Sequence, residues 1–316
     1  MSIPPLTKEQ KRQLQLLEPS LKLAAAQRDL QKCEELTDYI QNILRPTGHE
    51  TRLMQSKNWL FETAMEVGKT DYAIKGFISV RQKASKSTRL YLEATALLAI
   101  CYLRNRDFDK ARPYMVESLR CEKNIKSEST RSAFKISLAK RFDEEALLAS
   151  ISTDTTESMD LEKIQKDAAK LIQTKHEDEI LEMLGSNVPE TALDFIKKIN
   201  AESKNLLTYK EQLKLPSPAT FQQKKKLGKG LLSAFQTVIW QSLCDKNSDV
   251  YKMWFTNGLQ AVLDKKYLTG AIVSTLVGLK IGIYAIAVYL TSLLIKIGIE
   301  TFCHVYQPNQ LMALRK

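Results

Sequence analysis

The chain is short of the residues from which most enzyme sites are assembled. Its three histidines, His49, His176 and His304, lie far apart in 316 residues. KHEDEI at 175–180 lacks the second histidine of HExxH, so the helix of a zinc protease is not set up. The five cysteines (Cys33, Cys101, Cys121, Cys244, Cys303) form no CxxC pair, which argues against a zinc site and a disulfide framework. A reducing, cytosolic setting for the main body is the expectation that follows. Neither GxSxG nor GxGxxG occurs, so no nucleophile elbow or dinucleotide loop is expected. Cys303 and His304 are adjacent and face different sides of a helix, so they make no thiol–imidazole pair. These gaps point away from an enzyme, a metal and a cofactor. The opening MSIPPLTKEQKRQLQLL has no apolar core, so a secretory signal is not expected either.

Acidic residues are also in short supply, 36 against 47 lysines and arginines, a formal charge of +11. That balance suits an acidic partner: nucleic acid, anionic lipid or an acidic protein face. A hydrophobic content of 44% over 316 residues is enough for two packed domains. Strand-like alternation is missing from Lys8 to about Ser150, where apolar residues recur at three and four. The fold class expected is all-α. Breaks fall at Arg45-Pro46-Thr47-Gly48, Gly68-Lys69-Thr70 and Asn105-Arg106-Asp107.

One stretch in this half has a signature. ATALLAICYLRNRDFDKARPYMVESL, Ala94–Leu119, sets Leu98, Ala99 and Tyr102 on one helix and Phe108, Ala111 and Met115 on the next. It resembles the tetratricopeptide repeat, in which small residues sit where paired helices cross and aromatics fill the gaps between pairs. A preceding unit carries Trp59-Leu60, Ala64, Gly68, Ala73 and Phe77, with bulky Phe61 where the family favours a small residue. An earlier one carries Ala24, Asp29, Cys33 and Ile40, and Ala139, Phe142 and Ala146 suggest a fourth. The crossing residues Cys33, Ala73, Ala111 and Ala146 are spaced by 40, 38 and 35 residues, against about 34 in the family. The resemblance implies that residues 1–150 form a curved stack of helix pairs that binds a peptide or protein surface. The rival is an irregular α-bundle. Lys75, Arg81, Lys83, Lys86, Arg89, Arg104, Arg106, Arg112 and Arg120 are interleaved with acids, as on solvated helix faces, so nucleic acid is not the expected partner.

ISTDTTESMD at 151–160 reads as a linker, with Asp160 capping the next helix. Helices are expected at 161–174, 177–184 and 189–214, with Gly185 as a C-terminal cap. Residues 161–266 form a second helical domain. Lys224, Lys225, Lys226 and Lys229 precede an amphipathic helix (Leu231, Leu232, Phe235, Val238, Ile239, Trp240, Leu243), a pattern that suits anionic lipid. A solvated lysine turn explains it equally.

The stretch YLTGAIVSTLVGLKIGIYAIAVYLTSLLIKIGIETFC, 267–303, carries one charge, Lys280, between Leu268 and Ile295. A bilayer core needs about 20 apolar residues, so this segment is expected to enter a membrane. Gly270, Ser274, Gly278 and Gly282 recur every four residues, a face suited to helix self-association and a homo-oligomer. Lys280 would then line an aqueous path. The rival is a break near 278–282 that leaves two short helices buried in a soluble bundle. Lys265 and Lys266 ahead of the segment place the body in the cytoplasm, with 304–316 as a tail. Two functions lead, ahead of a third, a basic nucleic-acid-binding protein. One is a non-enzymatic interaction protein whose C-terminal segment anchors in or perturbs a membrane, in the manner of a restrained defence effector. The other is a soluble adaptor with 267–303 as its core.

Overall fold

The computed structural model describes residues 3–121, 123–152, 159–215, 223–245, 248, 251–252, 265–306 and 311–312, the side chains of 191 and 265–267 apart. Most of the expected linker, Pro216, Pro218 and most of the apolar stretch between Asp245 and Asp264 lie outside them. Among the described residues there are fifteen α-helices and no strand. The chain divides into two compact units, residues 1–138 with 309–316, and residues 139–308.

The first unit contains α1 (Lys8–Ala26), α2 (Leu30–Leu44), α3 (Glu50–Glu66), α4 (Thr70–Lys83), α5 (Arg89–Arg104) and α6 (Phe108–Leu119). Each helix packs on the next, and α3 also touches α1 and α5. α1, α3 and α5 end in the same way. Arg28, Gly68 and Arg106 adopt positive φ, at 53°, 82° and 58°. Their N–H groups reach back to Ala25, Met65 and Leu103, and the next residues' N–H groups to Ala24, Ala64 and Tyr102. This paired closure satisfies the helix's last carbonyls through a left-handed residue. Five residues beyond each turn stand Cys33, Ala73 and Ala111, all fully buried. Turns and crossing residues therefore share one register. The oversized Phe61 is accommodated by Gly76, where a Cβ would overlap the Phe61 ring. Phe61 then meets Tyr72 and Phe77 edge-on, at 5.5 and 6.0 Å between centroids.

The fourth pair does not form. α7 (Glu128–Ile151) runs unbroken through Ala139, Phe142 and Ala146, with no turn between them to make a helix pair.

The second unit holds α8 (Leu161–Thr174), α9 (Glu177–Ser186), α10 (Glu190–Lys204), α11 (Tyr209–Gln212) and α12 (Lys224–Leu243). Asp160 caps α8 as expected, accepting from the N–H groups of Glu162 and Lys163. The helix expected over 189–214 is interrupted, because Thr208 and Glu211 form a capping box that starts α11. Gly185 is not a cap. It lies inside α9, where a Cβ would overlap the Lys224 carbonyl oxygen, and one on Gly228 would overlap that of Leu181. Paired glycines thus let α9 and α12 touch backbone to backbone.

The apolar segment is not one helix. It forms α13 (Lys265–Gly278), α14 (Tyr284–Ile297) and α15 (Ile299–Val305). Lys280, at φ 57°, closes α13 with the same turn as the first unit: its N–H bonds Val277, and Ile281 N–H bonds Leu276. Gly298, at φ 83°, opens an 87° bend between α14 and α15. No single described helix is long and apolar enough to cross a membrane, although α14 and α15 together have the length and composition. α14 packs on α8 and α9, and α13 on α8, α12 and α14. Ile272, Leu276, Ile281, Ile286, Leu290 and Leu293 are fully buried in the unit's core. Each such side chain contributes about 1.5–3 kcal/mol. Three polar side chains along the segment are bonded within the unit, although the buried Thr291 hydroxyl has no partner among the described residues. Tyr284 donates to Asp167 at 2.9 Å, Thr275 to Ser242 at 2.7 Å and Ser292 to the Val288 carbonyl at 2.8 Å.

Cys244 and Cys303 are joined by a disulfide, with Cα atoms 5.4 Å apart. This corrects the expectation of unpaired cysteines. The bond ties the end of α12 to α15, and Trp240 N–H donates to the Cys303 carbonyl beside it at 2.9 Å.

Candidate ligand cleft in the helix stack

An open cleft of about 650 Å³ lies in the first unit between α5, α6 and the loop after α6. Thr88 starts α5 by accepting from the Tyr91 N–H. Tyr91 and Thr95, one turn apart, then present one buried face to the cleft. Asp107 caps α6 in the same way through the Lys110 N–H. Arg112, Val116 and Arg120, at intervals of four, line the opposite wall. Asn124 closes the end by donating to the carbonyls of Lys86 and Thr88, both at 2.8 Å.

Arg81 of α4 fixes the floor. Its guanidinium donates to Thr95 at 2.9 Å, Tyr91 at 2.7 Å and Glu117 at 2.6 Å. It also lies over the Tyr91 and Tyr114 rings, at 4.9 and 4.7 Å. Tyr91 in turn donates to Glu117 at 2.6 Å. Burial, and then this bond, hold the Tyr91 hydroxyl above the ordinary phenol range. One arginine thereby joins three helices and neutralises Glu117. The lining also includes the cationic side chains of Lys86, Arg112, Arg120 and Lys123, and Asp109. All four cations are exposed. Among the described residues, Lys86, Arg120 and Lys123 make no ion pair. Such a rim attracts carboxylate or phosphate, and a concave wall of low dielectric concentrates its field.

Three other cations expected on free helix faces are paired with neighbours. Lys83 pairs with Glu50, Arg89 with Glu93 and Arg104 with Glu66. The packing residues Ala73, Ala99 and Ala111 are fully buried, and Phe108 is 9% exposed. Tyr102 stacks on Tyr114, 5.7 Å between centroids. The four small residues of the apolar segment do not lie on one helix. Gly270, Ser274 and Gly278 lie on α13, the last two exposed, while Gly282 is buried in the turn beyond it. The break at Lys280 rotates Gly282 out of register. Lys280 is exposed in that turn. Of the lysine cluster, Lys225 pairs with Asp178 at 2.5 Å and lowers its carboxyl range, while Lys224, Lys226 and Lys229 are exposed.

Sequence reasoning did not pick out Tyr91, Thr95, Glu117, Lys123 or Asn124. The four-residue interval between Tyr91 and Thr95 was a usable signal, but their meeting with Arg81 depends on helix packing. Among the described residues, no group of three or more His, Cys, Asp or Glu is placed to hold a metal ion. No family model matches this chain, and neither a curated protein nor a solved structure does.

Proposed function

We propose that this chain is a non-enzymatic helical adaptor whose first unit captures an acidic segment of a protein partner in the cleft between α5 and α6. The observation that carries the reading is the convergence of Lys86, Arg112, Arg120 and Lys123 around a cleft whose Glu117 is already taken by Arg81. The recurrent turns at Arg28, Gly68 and Arg106 support a stack of tetratricopeptide-like pairs, an architecture that presents concave binding surfaces. The second unit is a folded body in which 267–303 supplies core.

Fluorescence anisotropy with a labelled dodecapeptide of glutamate and aspartate tests the adaptor reading. The triple variant Lys86→Glu, Arg120→Glu, Lys123→Glu is expected to bind at least tenfold more weakly than wild type. The same charge change on α1, at Lys8, Lys11 and Lys22, is expected to alter binding less than threefold. Equal losses in both would reduce the effect to net charge and defeat the reading.

A second reading is supported by the α14–α15 pair, which together has the length and apolar composition of a span. In it the body sits at the inner face of a membrane, and α14 leaves the core to act there as a restrained effector. Flotation with phosphatidylcholine–phosphatidylglycerol vesicles tests it. Full-length chain that stays at the bottom of the gradient rejects it.

A further inference from the structure

Leu311 and Met312 fold back onto the first unit. The Leu311 N–H donates to one oxygen of Glu62 at 2.6 Å, and the Met312 N–H to the other at 3.1 Å. Glu62 is 1% exposed, Leu311 8% and Met312 0%. Asn58, Glu62 and Glu66 recur every four residues on α3 and form a polar stripe along one face of it. Asn58 donates to the Leu90 carbonyl, and Glu66 accepts from Arg104, so both serve α5. Glu62, between them, is the member of the stripe turned to the tail.

A buried carboxylate is costly unless its oxygens are bonded. Here two successive backbone amides take one oxygen each. Backbone amides are presented by any unfolded peptide, so the carboxylate selects conformation: two consecutive free N–H groups, hence no proline at either position. Side-chain choice comes from the apolar positions that Leu311 and Met312 fill. This is how a peptide receptor works, with the peptide supplied in cis.

We infer that the face of α3 around Glu62 is a peptide-docking site and that Leu311–Met312 is its releasable intramolecular occupant. A tethered occupant acts at an effective concentration on the order of millimolar, so it keeps the site closed to weaker ligands in solution. Release exposes the site to a peptide of the same chemistry. The inference is independent of the cleft between α5 and α6, which uses other residues.

The test uses the full chain and a labelled peptide of residues 305–316. In the receptor, Leu311→Asp with Met312→Asp sets two carboxylates against Glu62 and undocks the tail. The peptide is expected to bind this variant at least tenfold more tightly than wild type. Methylating the Met312 nitrogen in the peptide removes one donor and leaves the protein untouched; binding is expected to fall at least tenfold. Glu62→Gln in the undocked variant is expected to weaken binding similarly. Equal binding to wild type and variant, no binding to either, or indifference to the methyl group would overturn the inference.

Discussion

Replacing Lys280 by glycine separates a turn from a continuous helix by the sign of one number. Lys280 holds φ 57° at the end of α13, where its N–H bonds Val277 and the next N–H bonds Leu276. An L-residue in this left-handed region is strained by about 1–2 kcal/mol. Glycine removes that strain but adds about 0.4–1 kcal/mol of unfolded-state entropy. The net gain expected is about 0.5–1 kcal/mol. Were 268–295 one helix, glycine at its centre would instead cost about 1 kcal/mol against a good helix former. The two cases therefore differ by about 1.5–2 kcal/mol, well beyond the error of a denaturation curve. Urea unfolding followed by circular dichroism gives the value, with Lys280→Ala alongside. The turn predicts that glycine raises the midpoint and alanine leaves it nearly unchanged. A lower midpoint for glycine with a higher one for alanine would refute the turn.

Three further outcomes are expected. Gly185→Ala or Gly228→Ala forces a Cβ into a backbone carbonyl of the facing helix, and each should cost about 3 kcal/mol, the upper part of the range for overpacking. Gly230→Ala, whose new Cβ would stand 3.9 Å from Leu147, should instead gain up to about 1 kcal/mol; chemical denaturation of the three variants checks the contrast. Reducing the Cys244–Cys303 bond, which joins residues 59 apart, should destabilise the second unit by about 2–4 kcal/mol. Thermal melts with and without dithiothreitol check this, and the Cys244→Ser, Cys303→Ser variant should show no response. Asp143 should make stability fall with rising pH. Burial pushes its carboxyl up to about 7, against a downward pull from the Asn200 hydrogen bond and from Lys204. The folded state therefore holds the proton more tightly than the unfolded one. The contribution is full below pH about 4 and is lost as pH approaches 7, with an amplitude of about 4 kcal/mol. Urea midpoints from pH 4 to 8 check the slope, which Asp143→Asn should flatten.

Helical content was readable because it rests on local periodicity, and Asp160 was readable as a cap because capping is local. The burial of Cys33, Ala73 and Ala111 was readable through their spacing, which the three recurrent turns share. Other features depend on partners distant in the chain. Gly76 makes room for Phe61, and Gly185 for α12, only because particular helices cross there. Cys244 and Cys303 meet only when α12 and α15 are side by side. The apolar segment was hardest to place, since a core helix and a membrane helix exclude water with the same residues. The break was signalled by Gly278, Lys280 and Gly282, yet the same glycines also suit a packing face in lipid. The cleft went unrecognised because its charges, scattered over α6 and the loops before α5 and after α6, look like an ordinary solvated surface until Arg81 joins the helices beneath them.

The central claim is that the protein's own helices cover the apolar segment. Amide hydrogen exchange on full-length chain prepared without detergent tests it most directly. Residues 286–294 should exchange as slowly as the buried stretch 94–101 of α5, and adding vesicles should change neither. Rapid exchange of 286–294 in water, with protection appearing only when lipid is added, would contradict the account.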